Sequence, residues 1–287
     1  MHTEKEKTIS YEIFGNPNGK PLFICHGLNS SRLEAKLIES LLSRDDIKVI
    51  GIDRAGIGQS SFQKNRTILD FVDDIVTIAN KLGIRKFSVM GTSAGASYAL
   101  ACAYKIPNRL VSAHIVSGLG PIDENLDNLS KDTKGFISLA KKLPWAVKPI
   151  FWLFMGRLSQ NEKKSDQFLK NIIQSLDEID KDIFKDNKLK NLFVTSCREA
   201  YKQGVNGVSQ DALLAYAAPW GFKLEDIEFQ NIYFYNGKLD LSIPISMGKM
   251  MSNAIVNSKL KIYPNDGHLS ILANQMNEIE KDLFTGP

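Results

Sequence analysis

The sequence has few cysteines, no long apolar run and little surplus of charge. Its three cysteines, Cys25, Cys102 and Cys197, are far apart and include no CxxC pair, so no disulfide framework is predicted. We expect buried thiols in a reducing compartment and therefore a cytoplasmic location. Apolar runs of 18 residues are absent and the N-terminal residues are charged. This pattern predicts neither a signal peptide nor integral membrane association.

The net charge of +4 comes from 36 Lys and Arg against 32 Asp and Glu. The two signs are interspersed, as in the run Asp180-Lys181-Asp182, which is not typical of a nucleic-acid-binding surface. Histidines and cysteines do not cluster at metal-ligand spacing, and the loop at 56–58 lacks the third glycine of GxGxxG. We therefore expect no nucleic-acid partner, no metal and no cofactor. A chain of 287 residues with 43% hydrophobic content is neither a disordered chain nor a small scaffold.

Short apolar, β-branched runs alternate with helical patterns from Thr8 to His114 and again after residue 231. The predicted strands are Ile9–Phe14, Pro21–Cys25, Ile47–Ile52, Phe87–Met90, Leu110–Val116, Ile232–Tyr235 and Leu260–Tyr263. Helical patterns cover 68–82, about 245–254, and the residues from 269 onward. This alternation predicts an α/β fold with a doubly wound, mostly parallel sheet.

The rhythm stops between Gly120 and Pro219, where helical patterns continue without a convincing strand. We interpret the chain as one α/β core, 1–119 and 221–287, with an inserted helical cap at 120–220. The cap stretch Pro144 to Met155 is the most apolar and aromatic segment. Three interpretations of it remain open: it lines an acyl pocket, touches a membrane surface, or packs as an ordinary cap helix.

The segment Gly91-Thr92-Ser93-Ala94-Gly95 matches the pattern GxSxG between a predicted strand and a predicted helix. A serine on so tight a turn projects its hydroxyl at the carboxyl edge of the sheet. The following helix N-terminus presents amide hydrogens to a developing oxyanion. The pattern in this context predicts Ser93 as a nucleophile.

Three further motifs follow the same order as in a known family. They are Cys25-His26-Gly27-Leu28, Asp53-Arg54-Ala55-Gly56-Ile57-Gly58-Gln59-Ser60 and Asn265-Asp266-Gly267-His268. In this order they resemble the oxyanion loop, the DRxGxGxS loop and the histidine loop of the α/β-hydrolase family. The GxSxG segment resembles the nucleophile turn of the same family. The resemblance extends from about Tyr11 to Phe284 and implies that fold with a helical cap. It also implies that the backbone N–H groups of Leu28 and Ala94 form the oxyanion hole.

A serine hydroxyl needs a neighbouring base, and a histidine with a pKa near 6.5 suits that task. Of the four histidines, His268 is the best candidate because it lies in a glycine-flanked loop between the last strand and the last helix. His2 lies at the terminus, and His114 alternates with apolar neighbours in a predicted strand. We expect His26, in the oxyanion loop, to organise backbone rather than transfer protons.

The histidine in turn needs a carboxylate that holds its tautomer. Asp240 is the candidate acid, since Gly237, Asp240 and Pro244 resemble the GxxDxxxP acid loop of the family. The chain order Ser93, Asp240, His268 is the order expected for this fold. Asp123 and Glu124 are an alternative acid site, which we rank below an interpretation as solvated residues.

These residues predict a serine hydrolase, most centrally a carboxylesterase of class 3.1.1, that cleaves an ester or related activated carbonyl through an acyl-enzyme on Ser93. The expected partner is a small, partly apolar acyl substrate. Carbon–carbon hydrolase, aminopeptidase, lyase and acyltransferase chemistry use much the same triad and stay open, as does the oligomeric state. A hypothesis from another class is a ligand receptor or signalling protein that does not turn over.

Overall fold

Seven strands form one sheet in the computed structural model, which describes residues 7–122, 129, 131–159 and 162–285. The strands are β1 (Tyr11–Gly15), β2 (Lys20–Cys25), β3 (Ile47–Ile52), β4 (Phe87–Thr92), β5 (Leu110–Val116), β6 (Ile232–Gly237) and β7 (Lys259–Tyr263). Their order across the sheet is β1-β3-β2-β4-β5-β6-β7. The strand β1 pairs antiparallel with β3, and every other pair is parallel. The predicted mostly parallel, doubly wound sheet is therefore confirmed.

Helices cover both faces of this sheet. They are α1 (Glu34–Leu41), α2 (Ile68–Lys81), α3 (Ala96–Lys105), α10 (Ile245–Ala254) and α11 (Ser270–Asp282). The helices α2, α3 and α10 bury their apolar sides in one cluster with residues such as Phe23 and Val89. On the other face, α1 and α11 pack on Leu22 and Met90. Because both faces are covered, central strands such as β4 and β6 are buried along their whole length rather than on one face only.

The helix α2 shows how local sequence sets an element. Its buried side includes Phe71, Ile75 and Ile78 at helical spacing, which confirms the predicted apolar face. The side chain of Thr67 accepts a hydrogen bond from the Asp70 N–H, and the Asp70 carboxylate accepts one from the Thr67 N–H. This reciprocal capping box satisfies two amides at the start of the helix and fixes where it begins.

A second group of helices lies between β5 and β6 and is called the inter-strand helices here. They are α4 (Lys131–Lys142), α5 (Pro144–Met155), α6 (Glu162–Ser175), α7 (Glu178–Asp182), α8 (Asn187–Ala200) and α9 (Asn206–Tyr216). They share an apolar core that includes Val147, Leu169 and Tyr201, and Ile57 from the loop after β3 joins it. The described residues of this stretch contain no strand.

Some boundaries differ from those predicted. The strand β1 begins at Tyr11 rather than Ile9, and β4 continues to Thr92, directly before Ser93. The helix α1 was not predicted because it has eight residues and only Ala35 and Ile38 are buried, too few for a helical period to stand out.

The cysteines and the helix lengths also bear on the sequence predictions. All three cysteines are buried free thiols, as expected. Among the described residues, no helix has both the length and the apolar character needed to cross a bilayer. The cytoplasmic location stays a prediction.

Candidate active site

Ser93 lies on the turn that joins β4 to α3. Its φ of +51° is in the left-handed region, which is strained for a residue other than glycine. A Cβ added to Gly95 would lie 1.9 Å from the Cys25 carbonyl oxygen, and one on Gly91 would lie 2.5 Å from the Gly95 carbonyl oxygen. Both glycines are therefore required by close backbone approach, which explains the GxSxG spacing around the serine.

His268 lies just before α11, and its ring contacts the carboxylate of Asp240. The imidazole Nδ1 is 2.8 Å from Asp240 Oδ2. The other oxygen, Oδ1, accepts hydrogen bonds from the backbone N–H groups of Ser242 and Ile243, each at 2.8 Å. The main chain after β6 thus fixes the carboxylate, and the carboxylate fixes the ring. Because Nδ1 is engaged, Nε2 is the nitrogen that can exchange a proton with a substrate or a hydroxyl.

Two opposing effects act on the protonation of His268. Burial of the imidazole lowers its pKa, but the Asp240 carboxylate raises it, with smaller contributions from Asp180 and Asp177. The net pKa is raised above the ordinary value of 6.5. The site therefore stabilises the imidazolium, which is the state a general base must reach.

A cavity of about 440 Å³ lies between Ser93 and His268. Ser93 and His268 both line it, as does Leu28 from the loop after β2. Ala94, the next residue after Ser93, is buried and does not line the cavity. Much of the remaining wall comes from apolar side chains of the inter-strand helices and the short connections between them, namely Met155, Leu158, Leu169, Phe184, Leu189 and Phe193. The volume and the apolar lining suit a small organic ligand.

The loop before Leu28 is held from outside by two side chains. Arg54 donates to the carbonyl oxygens of His26 at 2.6 Å and Gly27 at 3.1 Å. The Gly27 N–H donates to Glu34 Oε2 at 3.0 Å. Within the described chain the Leu28 N–H has no hydrogen-bond acceptor, so it is available for an oxyanion. Burial, together with the Arg54 guanidinium, holds the pKa of His26 well below its usual value, consistent with a backbone-organising role.

Arg54 belongs to a buried charge cluster that reaches α9. Its Nε donates to Asp211 Oδ2 at 2.6 Å, and Arg66 forms an ion pair with the other carboxylate oxygen. The Tyr98 hydroxyl donates to Asp211 at 3.1 Å. Burial alone would raise the pKa of Asp211, but the guanidinium groups of Arg54 and Arg66 lower it to about 2. One carboxylate from the inter-strand helices therefore pairs with two buried cations beside the loop at His26 and Gly27.

Sequence reasoning missed Asp180, which is buried on α7. Its carboxylate accepts hydrogen bonds from the backbone N–H groups of His268 at 3.0 Å, Leu269 at 2.9 Å and Ser270 at 2.8 Å. These amides lie at the N-terminal end of α11, where a carboxylate is favoured. In the sequence, Asp180 is part of the mixed-charge run Asp180-Lys181-Asp182. No local signal marks it, because its partners are about 90 residues away in sequence.

The remaining candidate residues lie elsewhere. His114 is fully buried in β5, where its ring nitrogens contact the Tyr235 hydroxyl at 3.1 Å and Ser112 Oγ at 2.8 Å. Burial lowers the pKa of His114 to about 3, which suits a neutral core residue. His2 and the alternative acids Asp123 and Glu124 lie outside the described residues.

Comparison with known proteins identifies a family over most of the chain. The family model for the alpha/beta hydrolase fold matches residues 20–275. Among curated proteins, a proline iminopeptidase of Xylella fastidiosa is 35% identical over 104 residues, which cover 35% of this chain and 33% of that protein. The match thus spans about one third of the length of the relative.

Solved structures match over nearly the full length. A thermophilic esterase from Thermogutta terrifontis aligns with a TM-score of 0.64 and 20% identity over 97% of this chain and 91% of that chain. The enol-lactonase from Burkholderia xenovorans LB400 aligns with a TM-score of 0.66 and 14% identity over 96% of each chain. At these identities the likeness shows the shared fold alone.

Proposed function

Because this chain belongs to the α/β-hydrolase family, we propose that it is a serine hydrolase with Ser93, His268 and Asp240 as its triad. The observation that carries the proposal is one cavity lined by both Ser93 and His268, with the Asp240 carboxylate 2.8 Å from the imidazole Nδ1. The raised pKa of His268 supports its role as the base. The strained backbone of Ser93 is typical of a nucleophile held ready for attack.

In the first half of the reaction, Ser93 Oγ attacks the carbonyl carbon of the substrate while His268 Nε2 takes the hydroxyl proton. The carbonyl oxygen becomes an oxyanion that accepts hydrogen bonds from the backbone N–H groups of Leu28 and Ala94. Asp240 stabilises the imidazolium through Nδ1. When the carbon–oxygen or carbon–nitrogen bond of the leaving group breaks, the imidazolium returns its proton to that group and an acyl-enzyme remains.

In the second half, a water molecule replaces the leaving group. His268 takes a proton from the water, whose oxygen attacks the acyl carbon and forms a second oxyanion in the same hole. Collapse of this intermediate breaks the bond to Ser93 Oγ, which recovers the proton from the imidazolium. The products are a carboxylic acid and the free enzyme, so the cycle needs no cofactor.

The substrate we favour is a small, partly apolar carboxylic ester, since the inter-strand helices supply a largely apolar wall. We also propose that residues 120–220 act as a cap over the sheet edge. A second candidate is aminopeptidase chemistry, which is favoured by the 35% identity to a proline iminopeptidase over 104 residues. Both chemistries pass through an acyl-enzyme on Ser93 and differ in the acyl group and in the leaving group.

Steady-state turnover of a short p-nitrophenyl ester series and of proline p-nitroanilide tests the proposal, with Ser93→Ala as the control. We expect sustained ester hydrolysis that depends on Ser93, with lower activity on the anilide. Faster hydrolysis of the anilide would move the function to an aminopeptidase. A single burst without further turnover would favour a receptor, and no reaction on any substrate by the folded protein would contradict the hydrolase proposal.

A further inference from the structure

The helix α5 presents large apolar side chains on its outer side. Val147 and Phe151 are buried and hold the helix on its neighbours. Trp145 is 73% exposed and Trp152 is 69% exposed. These two residues are seven positions apart, which is about two helical turns, so they lie on the same side of α5. Proteins that stay monomeric rarely expose such an apolar surface without a function for it.

The apolar surface extends to the end of the helix. Leu153 is 63% exposed and follows Trp152 on the neighbouring part of the helix surface, whereas Phe154, 61% exposed, points to another side of α5. We call Trp145, Trp152 and Leu153 the α5 patch. The patch contains two tryptophans, and tryptophan is enriched where a bilayer meets water.

The sequence around α5 carries charge of one sign. The sequence from 133 to 161 contains five Lys and Arg but no Asp or Glu, although the whole chain has 32 acidic side chains among 287 residues. Lys148 is exposed and lies between the two tryptophans along the helix, and Lys142 is exposed at the end of α4. Aromatic side chains flanked by lysines without acids complement a surface that is apolar inside and negatively charged outside.

We propose that the α5 patch docks the protein on an anionic lipid surface. Trp145 and Trp152 enter the boundary between head groups and acyl chains, while Lys142 and Lys148 face the lipid phosphates and carboxylates. A second copy of this chain fits the patch less well. A twofold contact would bring Lys148 of each copy to the same interface, and the local sequence offers no acidic partner to neutralise them.

The helix that carries the α5 patch also contributes to one wall of the cavity. Met155, the last residue of α5, and Leu158, just after it, both line the cavity that contains Ser93. Docking therefore brings this wall close to the lipid, from which an apolar substrate could enter. The docking itself does not rest on the proposed reaction, because the Ser93→Ala protein is expected to bind lipid equally well.

The first test is sedimentation of the full chain with vesicles. We expect binding to phosphatidylcholine vesicles that contain phosphatidylserine, release at high salt, and little binding to phosphatidylcholine alone. The double variant Trp145→Ser/Trp152→Ser should lower the partition coefficient by about tenfold or more. Lys148→Gln should lower the partition coefficient by about fivefold, which is the usual contribution of one lysine near an anionic surface. Val256→Ser, which changes an apolar residue that is 71% exposed on another surface, is the matched control and should bind as the wild type does.

The second test uses the tryptophans as reporters. The chain has three of them, and Trp220 is buried at 5% exposure, so quenching by brominated acyl chains reports Trp145 and Trp152. We expect quenching in the wild type and none in the double variant, whose remaining signal is that of Trp220. The proposal is overturned if the wild type does not bind the anionic vesicles, or if the folded double variant binds as well as the wild type. A dimer in analytical ultracentrifugation that the double variant loses, without lipid binding, would assign the patch to a second copy and also overturn it.

Discussion

Two regions of the chain bring a buried carboxylate to the segment that carries His268. Asp240 comes from the loop after β6 and contacts the imidazole ring at 2.8 Å. Asp180 comes from α7 and contacts three backbone N–H groups of the same segment. The first carboxylate acts on the charge and tautomer of the ring, and the second acts on the position of its backbone. The loops of the sheet therefore carry the candidate catalytic groups, and α7 contacts the backbone beside one of them.

A similar contact between a sheet loop and an inter-strand helix occurs at the loop before Leu28. Leu28 belongs to a loop of the sheet, and the carbonyl oxygens of His26 and Gly27 before it accept hydrogen bonds from Arg54. Arg54 is in turn paired with Asp211, which lies on α9. A carboxylate of the inter-strand helices thus supports each of the two segments: Asp180 contacts the His268 segment, and Asp211 contacts Arg54 beside the loop before Leu28. Removing these carboxylates should affect position and stability, whereas removing Asp240 should affect the chemistry.

The largest effect is expected from Asp240→Asn. The amide would place an N–H group toward Nδ1 and favour the wrong tautomer of His268, while the turn after β6 keeps an oxygen acceptor. We expect turnover to fall by about 10⁴-fold with little change in the melting temperature. Steady-state kinetics and thermal unfolding of the same preparation check this. A loss of less than tenfold would show that another group serves as the acid.

Asp211→Asn should lower the free energy of unfolding rather than the rate of the catalysed reaction. It leaves the buried guanidinium groups of Arg54 and Arg66 without a counter-charge, a change that typically costs about 3–5 kcal/mol in the free energy of unfolding. Urea denaturation measures it, with the exposed Asp226→Asn as the control. Because the folded-state pKa of Asp211 is lowered to about 2, its stabilisation is complete at neutral pH and is lost only as the pH falls toward that value. An unchanged midpoint would contradict the proposed role of the cluster.

Asp180→Ala tests the position of the His268 backbone separately from the charge of its ring. Three amides would lose their acceptor, and we expect kcat to fall by about 10- to 100-fold as the ring shifts from its productive place. The loss of a helix cap should cost about 1 kcal/mol in the free energy of unfolding. Asp182→Ala, two residues along and exposed, is the control and should retain wild-type kcat. If kcat of Asp180→Ala equals that of the control, α7 does not position the base.

The smallest effect is a displacement of the pH profile. Because the pKa of His268 is raised above 6.5 and the base must be neutral, the rising limb of kcat/KM should have its midpoint above pH 6.5. Residual activity of Asp240→Asn should have its midpoint at lower pH, since burial then acts with less opposition. In Asp180→Ala the midpoint should move less, because Asp180 contributes less to the shift than Asp240 does. Equal displacement in both variants would remove the distinction between the two carboxylates.

The sheet was predictable because its signals are local and strong. Strands such as β3 and β5 are buried on both faces, so their ends follow directly from the ends of apolar runs. The turn around Ser93 was predictable for a similar reason, since close backbone contacts at Gly91 and Gly95 require glycine there. Asp240 was indicated by the resemblance of its loop, with Gly237 and Pro244, to the acid loop of the family, and its contact with His268 agrees with that placement.

The contributions of the inter-strand helices were not predictable in this way. Asp180 and Asp211 each lie in a helix whose sequence carries no motif, and their partners are 88 and 157 residues away. A buried carboxylate that accepts backbone N–H groups looks the same in sequence as a solvated one. Only the packing of α7 and α9 on the sheet loops distinguishes them. Hydrophobic periodicity predicts the helices but not the loops on which they pack.

Intact mass after treatment with a fluorophosphonate tests most directly whether Ser93 is an activated nucleophile. We predict one adduct on the wild type at neutral pH, none on Ser93→Ala, and slower labelling of Asp240→Asn, because the probe needs a serine whose proton a neighbouring base removes. Thermal unfolding should confirm that each variant is folded. An unlabelled, folded wild type, or an adduct that persists in Ser93→Ala, would contradict the account.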